Sequence, residues 1–316
     1  MQNILDAIGD TRLLALRHVV PANGARLLLK LEAENPTGSL KDRMALAMIA
    51  AAEADGRLLP GGTVVEYTGG STGVSLALVC AVKKYSLHIV TSDAFAAEKL
   101  EHMRLLGATL HIVPSDSGRM TEKLTRDMVE AARVIANETG AFWTDQLNNT
   151  DQFAAYTRLA DEIWQQTDGH IDTFVQSVGT AASLRATGAE LRRRDAKVVV
   201  CAVEPAESAV LSGGPSGAHK IDGIGAGYVV PLWRAEAAQR IERVSTEEAA
   251  AMSQRLAREE GVFAGTSTGA NVVAALRLAR QLEQGVVVTI LCDGASKYLS
   301  DRFWDEEAAY MDGEGV

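Results

Sequence analysis

Apolar and polar positions along this chain alternate between two periods. Runs rich in Val, Ile, Leu and Thr read as strands at Arg26–Glu32, Thr63–Tyr67, Ser86–Thr91, Thr109–Val113, Thr173–Val178, Val198–Glu204 and Val286–Cys292. Segments with helical spacing follow most of them: Lys41–Asp55, Val74–Lys84, Ala96–Leu106, Met120–Thr139, Leu184–Arg194, Thr246–Glu260 and Ala270–Gln284. This alternation predicts an α/β fold of mainly parallel sheets with helices on both faces. Pro60-Gly61-Gly62 and the run from Ser212 to Gly217 read as loops. The polar stretch Gly140–Asp151 breaks the rhythm and puts a domain change near residue 140.

Composition narrows the function classes. The 316 residues suffice for one large domain or two modest ones, and 47% hydrophobic content supplies a full core. A formal net charge of −10 argues against a nucleic-acid partner. Arg192-Arg193-Arg194 reads as the solvated face of a helix. No apolar stretch reaches 18 residues and no signal-peptide pattern opens the chain, so no membrane association is expected and a cytoplasmic location is. The three cysteines, Cys80, Cys201 and Cys292, lie far apart in apolar segments, as buried thiols do in a reducing compartment. The six histidines show no ligand spacing, and no metal site is expected.

The segment Asn35-Pro36-Thr37-Gly38-Ser39-Leu40-Lys41-Asp42-Arg43 is a turn running into a helix. Pro36 and Gly38 break regular structure, Ser39 is a good N-cap, and Asp42 three residues later has capping-box spacing. Lys41 therefore falls in the first helical turn, where unpaired N–H groups disfavour a cation and desolvation acts the same way. A neutral amine is what a lysine needs to bond a carbonyl carbon. Asp42 and any nearby phosphate oppose that effect. A surface lysine at a helix start is the plain alternative.

Three glycine-rich turns join strand to helix: Thr68-Gly69-Gly70-Ser71-Thr72-Gly73, Ser177-Val178-Gly179-Thr180-Ala181-Ala182-Ser183, and Gly265-Thr266-Ser267-Thr268-Gly269-Ala270-Asn271. Each offers backbone N–H groups, hydroxyls and a helix N-terminus to an anion. None is closed by the Gly-Lys-Ser/Thr of a P-loop. Singly, the first two read equally well as structural turns, and the third reads better as an ordinary hydroxyl N-cap. Together with the early-helix lysine they suggest a phosphate-bearing carbonyl cofactor held by two α/β units.

The lysine segment resembles that of fold-type II pyridoxal-phosphate enzymes, in the cysteine synthase (O-acetylserine sulfhydrylase) and cystathionine β-synthase group. Ile8-Gly9-Asp10-Thr11 resembles that family's opening I-G-N-T. The run from His219 to Gly227 resembles its H-K-I-x-G-I-G-A-G loop. Glu259-Glu260-Gly261 with Gly265–Ala270 resembles E-E-G…G-x-S-[SA]-G-A, and Tyr298-Leu299-Ser300 resembles the closing Y-L-S. The resemblance spans about residues 4 to 303 in order and spacing. It implies a tryptophan synthase β-subunit-like fold of two three-layer α/β domains. The smaller, mobile domain would be residues 38–145, the larger 1–37 with 146–316, and the cofactor would lie in their cleft. It also implies a homodimer. No haem-binding extension or regulatory domain of the larger cystathionine β-synthases is expected, and the acidic tail Asp305–Val316 names no protein partner.

By the same resemblance Lys41 would hold pyridoxal 5′-phosphate as a Schiff base and serve as the base at the substrate α-carbon. Gly179, Thr180, Ala181, Ala182 and Ser183 would bind the cofactor phosphate, and Ser267 would face the pyridine nitrogen. Thr68, Gly69, Ser71 and Thr72, with Gln146 from across the cleft, would bind the substrate carboxylate. Ser71 would also lie near the cofactor's 3′-oxygen, and Gly223 to Gly227, including Gly225, would border the site. A neutral hydroxyl at Ser267 does not hold the ring nitrogen protonated, which suits α,β-elimination better than transamination.

The chain departs from the family pattern at three places. The usual T-S-G-N-T-G reads Thr68-Gly69-Gly70-Ser71-Thr72-Gly73, losing a hydroxyl at Gly69 and exchanging an amide for a hydroxyl at Ser71. Each altered hydrogen bond changes binding by ~0.5–1.5 kcal/mol. The phosphate loop's G-T-G-G-T has Ala181 and Ala182 for two glycines. Alanine tolerates positive φ poorly, so a different loop geometry is expected. Asp293-Gly294-Ala295-Ser296-Lys297 replaces S-S-G-E-R. The expected reaction is β-replacement through an aminoacrylate, making L-cysteine from O-acetyl-L-serine and sulfide. Three alternatives stay open: a cystathionine β-synthase-like or other β-substituted-alanine synthase using another thiol nucleophile; a lyase releasing pyruvate from serine or cysteine; and a silent partner-binding protein, against which Lys41 and Ser267 speak.

Overall fold

The computed structural model describes residues 2–20, 24–116 and 121–299. In chain order the elements are β1 (Leu13–Ala15), β2 (Ala25–Leu31), α1 (Lys41–Ala54), β3 (Thr63–Tyr67), α2 (Ser71–Lys83), β4 (Ser86–Ser92), α3 (Ala97–Leu105), β5 (Thr109–Val113) and α4 (Glu122–Thr139). They continue with β6 (Phe142–Trp143), α5 (Phe153–Gln166), β7 (Thr173–Ser177), α6 (Ala182–Arg194), β8 (Val199–Pro205), β9 (Arg240–Val244), α7 (Thr246–Glu260), α8 (Thr266–Ala279) and β10 (Gly285–Leu291).

Every strand and helix read from the sequence forms, most within three residues of the expected ends. Met120, the expected start of α4, lies outside the described residues, as do Ser300 of the Y-L-S motif and the acidic tail. The α8 helix begins at Thr266, four residues earlier than its apolar pattern suggests, and ends at Ala279 rather than Gln284. The N–H groups of Gln281 and Leu282 bond back only three residues there, which closes the helix. Helix α5 and the short strands β1, β6 and β9 are additional.

The described residues form two compact units, one drawn from 2–9 with 35–155, the other from 10–34 with 156–299. In the first, a four-stranded sheet runs β5-β4-β3-β6 with every pair parallel. Val65, Tyr67 and Val90 face Leu124, Met128 and Ala132 of α4. Val64 and Ile89, their immediate neighbours along the strands, point to the opposite face and are also fully buried. Helix α2 packs on β3 and β4 and shares none of the α4 cluster, so the sheet is covered on both sides.

In the second unit the order is β1-β2-β10-β7-β8-β9, parallel except for β1 against β2. Val175, Cys201 and Val203 pack with α8 residues on one face. Val200, one residue before Cys201, meets α6, where a Cβ on Gly188 would lie 2.9 Å from its Cγ2. Helices α6 and α8 therefore sandwich the sheet. Helix α5 is pinned by a buried charge: Lys30 Nζ on β2 donates to Glu162 at 2.8 Å, to Gln166 at 3.0 Å and to the Thr11 carbonyl at 2.5 Å. Among the described residues no helix is long and apolar enough to cross a membrane. Cys80 and Cys201 are buried free thiols, pushed up to about 12 by burial, while Cys292 is only half-buried.

Candidate active site

The third turn singled out in the sequence does not follow a strand as expected: it joins α7 to α8, and Ala264 before it makes only an isolated antiparallel bridge to Gly294. The first two lie at the carboxyl ends of the parallel strands β3 and β7. That is where open α/β sheets present backbone N–H groups and loops to ligands.

Lys41 is half-buried and is the first residue of α1. The capping box expected between Ser39 and Asp42 does not form. The Ser39 hydroxyl accepts from the Lys41 N–H at 3.2 Å, a cap-like contact, but the Asp42 side chain does not return to Ser39. Its fully buried carboxylate instead accepts from Thr37 N at 2.8 Å, Thr37 Oγ1 at 2.5 Å and Ser75 Oγ at 2.5 Å. Three donors in a dry place outcompete one backbone N–H at an open helix end. Asp42 thus ties the lysine turn to α2, one turn beyond Ser71.

The Thr68–Gly73 turn opens α2. Thr68 Oγ1 accepts from Gly70 N at 3.1 Å, and the Thr68 N–H donates to Val90 of the neighbouring strand at 2.9 Å. A Cβ on Gly73 would lie 2.7 Å from Met103 Sδ, so a side chain there would require the buried Met103 to shift. Thr72 Oγ1 donates to Gln146 Oε1 at 2.8 Å, and Gln146 Nε2 donates to the Tyr67 carbonyl at 3.2 Å. Gln146 therefore does not come from across a cleft. It belongs to the same unit as the turn, because Glu66 on β3 holds its backbone N–H at 3.0 Å. The Glu66 carboxyl also accepts from Thr144 Oγ1 at 2.5 Å and Tyr67 N at 2.9 Å. Full burial outweighs those bonds and raises it to about 7. Sequence reasoning passed over Glu66; a lone acid within an apolar strand was the available signal.

In the second unit β7 leads through Ser177–Ala181 into α6. Ala181, not a glycine, takes the left-handed conformation, with φ 71° and ψ −11°. The turn is thus left-handed and carried by an alanine, strained by roughly 1–2 kcal/mol. Gly179 is required by a close approach, since a Cβ there would lie 2.5 Å from the Gly223 carbonyl oxygen. The Gly225 N–H donates to Val178 O at 3.1 Å, so the His219–Gly227 loop lies against this turn. Gln176 Nε2 donates to Ser183 Oγ at 2.6 Å.

Ser267 is buried in the first turn of α8, whose start is fixed from three sides. Gly265 N donates to Asp293 O at 3.2 Å, Thr268 Oγ1 accepts from Cys292 N at 3.1 Å, and Thr266 Oγ1 accepts from Asp222 N at 3.2 Å. Asn271, one helical turn after Ser267, is fully buried and accepts from Ser177 N at 2.7 Å. It joins the second and third turns, a role nothing local in the sequence announces. Asp293, a departure from the family pattern, accepts from Tyr298 Oη at 2.7 Å, and burial holds that phenol well above its ordinary value.

The structure thus gathers Lys41, Thr68, Gly69, Ser71, Thr72 and Gln146 in one unit, and Gly179 to Ser183, Gly225 and Ser267 in the other. The second set fits a phosphate-bearing cofactor. Buried Ser177 Oγ and Gln176 Oε1 have no protein partner at the turn, and α6 presents its N-terminus there.

The family model for pyridoxal-phosphate dependent enzymes matches residues 4–293. The chain belongs to that family. Its cofactor is pyridoxal 5′-phosphate. A cysteine synthase of Staphylococcus aureus is 37% identical over 303 residues, covering 95% of this chain and 96% of that one. Cysteine synthase B of Escherichia coli is 34% identical over 317 residues, covering 100% of each. Among solved structures, the cysteine synthase of Entamoeba histolytica superposes with a TM-score of 0.91 at 32% identity, covering 100% of this chain and 93% of that chain. The α/β fold is therefore the fold-type II arrangement that the motifs implied.

Proposed function

We propose that this enzyme makes L-cysteine from O-acetyl-L-serine and sulfide by β-replacement. The observation that carries this reading is the pairing of a lysine opening α1 with a helix N-terminus at Ser71–Thr72, in a chain similar along its whole length to cysteine synthases. In the net reaction the Cβ–O bond to acetate breaks and a Cβ–S bond to sulfide forms, while the α-proton leaves and returns.

Lys41 would hold pyridoxal phosphate, which would supply a carbonyl-level carbon able to bond the substrate amine and a ring able to withdraw electrons from Cα. Lys41 is the residue proposed to take and return the α-proton. The N–H groups opening α2, with the hydroxyls of Thr68, Ser71 and Thr72, would hold the α-carboxylate. Gln146 orients Thr72 and would give up that hydrogen bond when a substrate carboxylate accepts from the Thr72 hydroxyl instead. Thr180, Ser183 and the α6 N-terminus would hold the cofactor phosphate, with Ala181 and Ala182 setting the turn. Ser267 would offer a neutral hydroxyl to the ring nitrogen. Gly225 would border the reacting carbons through its backbone.

The part that moves on substrate binding is proposed to be residues 38–145. A homodimer in the cytoplasm is the proposed state; the free thiols Cys80, Cys201 and Cys292 suit a reducing compartment. The test is product analysis on the purified holoenzyme given O-acetyl-L-serine with and without sulfide, with Lys41→Ala as control. Cysteine formed only with both substrates, and by the wild type alone, is expected. Pyruvate as the main product, or turnover retained by Lys41→Ala, would overturn the reading.

A further inference from the structure

Gly69 is the second residue of the carboxylate turn, and its φ lies outside the left-handed region, so backbone conformation does not demand a glycine. Space does. A Cβ on Gly69 would fall 1.8 Å from both Cγ and Cδ2 of Phe95 and 2.1 Å from Cε2. At the next residue, Gly70, a Cβ would meet nothing within 4 Å, so the crowding is particular to position 69. Phe95 lies just beyond β4. Its N–H donates to Ser92 O at 3.3 Å, and its half-buried ring packs on the cluster of Val65, Tyr67, Val90, Leu124 and Met128. With that cluster behind it the ring has little freedom to swing aside.

We infer that Phe95 is a specificity-determining residue of the amino-acid site, matched to Gly69. Its ring fills the volume that a side chain at position 69 would take and covers the start of α2 on that side. The inference rests on the reading of Thr68–Thr72 as the seat of the α-carboxylate. An aromatic cover contributes by excluding water: the partial positive charge at the helix start then acts on an anion in a less polarisable surrounding, where the attraction is larger. The ligand class selected is a free α-amino acid. The carboxamide of the same amino acid lacks the charge that the covered helix start favours.

The test uses holoenzymes of the wild type, Phe95→Ala, Gly69→Ala, the double variant and Thr72→Ala. KM and kcat for O-acetyl-L-serine are measured at saturating sulfide over a series of KCl concentrations, with thermal unfolding in parallel. Phe95→Ala is expected to raise KM about ten-fold, equivalent to about 1.4 kcal/mol, with little change in kcat. Its KM should also climb more steeply with salt than that of the wild type, because an uncovered ionic contact is screened. Gly69→Ala should raise KM and lower the unfolding temperature, and adding Phe95→Ala should reverse much of both effects. The inference is overturned if Thr72→Ala raises KM while Phe95→Ala does not, or if the two changes at 69 and 95 simply add. If Thr72→Ala also leaves KM unchanged, the carboxylate reading itself fails and this inference falls with it.

Discussion

Glu66 offers a sharp test of the buried polar scaffold beneath the Thr68–Gly73 turn. Its carboxyl is fully buried, and burial raises it from 4.5 to about 7 despite three hydrogen bonds. An acid raised on folding binds more protons in the folded chain than in the unfolded one between those two values. Its contribution is therefore complete below pH 4.5 and is lost as pH rises through 7. A rise from 4.5 to about 7, at about 1.36 kcal/mol per pH unit, amounts to roughly 3 kcal/mol, most of which should disappear between pH 5 and pH 8. Glu66→Gln removes the titration while keeping an oxygen for Thr144 and Gln146. Urea unfolding of both proteins, followed by tryptophan fluorescence from pH 5 to 8.5, isolates the group as a difference. The wild type should lose roughly 2–3 kcal/mol relative to Glu66→Gln across that span and little further above pH 8. Parallel stability curves would refute the reasoning, because they would mean that Glu66 titrates alike in folded and unfolded chains.

Two further substitutions probe the turns. Asp42→Ala leaves three buried donors of Thr37 and Ser75 without their acceptor and should cost about 3–5 kcal/mol, whereas Asp42→Asn, keeping one oxygen, should cost less; urea unfolding separates the two. Asn271→Leu strands the N–H of Ser177 and the carbonyl of Ile290, for a loss of about 2–4 kcal/mol by the same assay. Because Ser177 begins the turn proposed to hold the cofactor phosphate, that variant should also release pyridoxal phosphate faster on dialysis, read from the fluorescence of the freed cofactor.

Much of this molecule was legible because its information is local. Strands β3 and β5 and helix α7 have the ends that their apolar runs gave, and Ser245 with Glu248 caps α7 in a box spanning four adjacent positions. The three turns and Lys41 are contiguous motifs for the same reason. What escaped depends on pairing between distant segments. Asp42 finds Ser75, 33 positions away, instead of the local partner its spacing suggested. Phe95 meets Gly69, and Asn271 meets Ser177, only once the sheets set their register. Strand β9 reads Arg-Ile-Glu-Arg-Val, and its charges at the sheet edge mask its strand character. Helix α5 was readable: Tyr156, Leu159, Ala160 and Ile163 repeat at helical spacing and are all buried. Its polar approach, Gly140–Asp151, drew attention away from it.

The order β1-β2-β10-β7-β8-β9 carries a consequence for how the protein is made. Strand β10 is the last to leave the ribosome, yet it lies between β2, among the first, and β7. About 260 residues separate the end of β2 from the end of β10. At a synthesis rate of about 5–20 residues per second, β2 waits roughly 13 to 50 seconds for the neighbour that covers its open edge. The β5-β4-β3-β6 sheet, by contrast, draws all its strands from residues 63–143 and can pair while the remainder is still being translated. A nascent chain of this enzyme is therefore half assembled and half exposed for most of its synthesis. The interval before residue 291 emerges is when the exposed apolar strand Ala25–Leu31 most needs a chaperone.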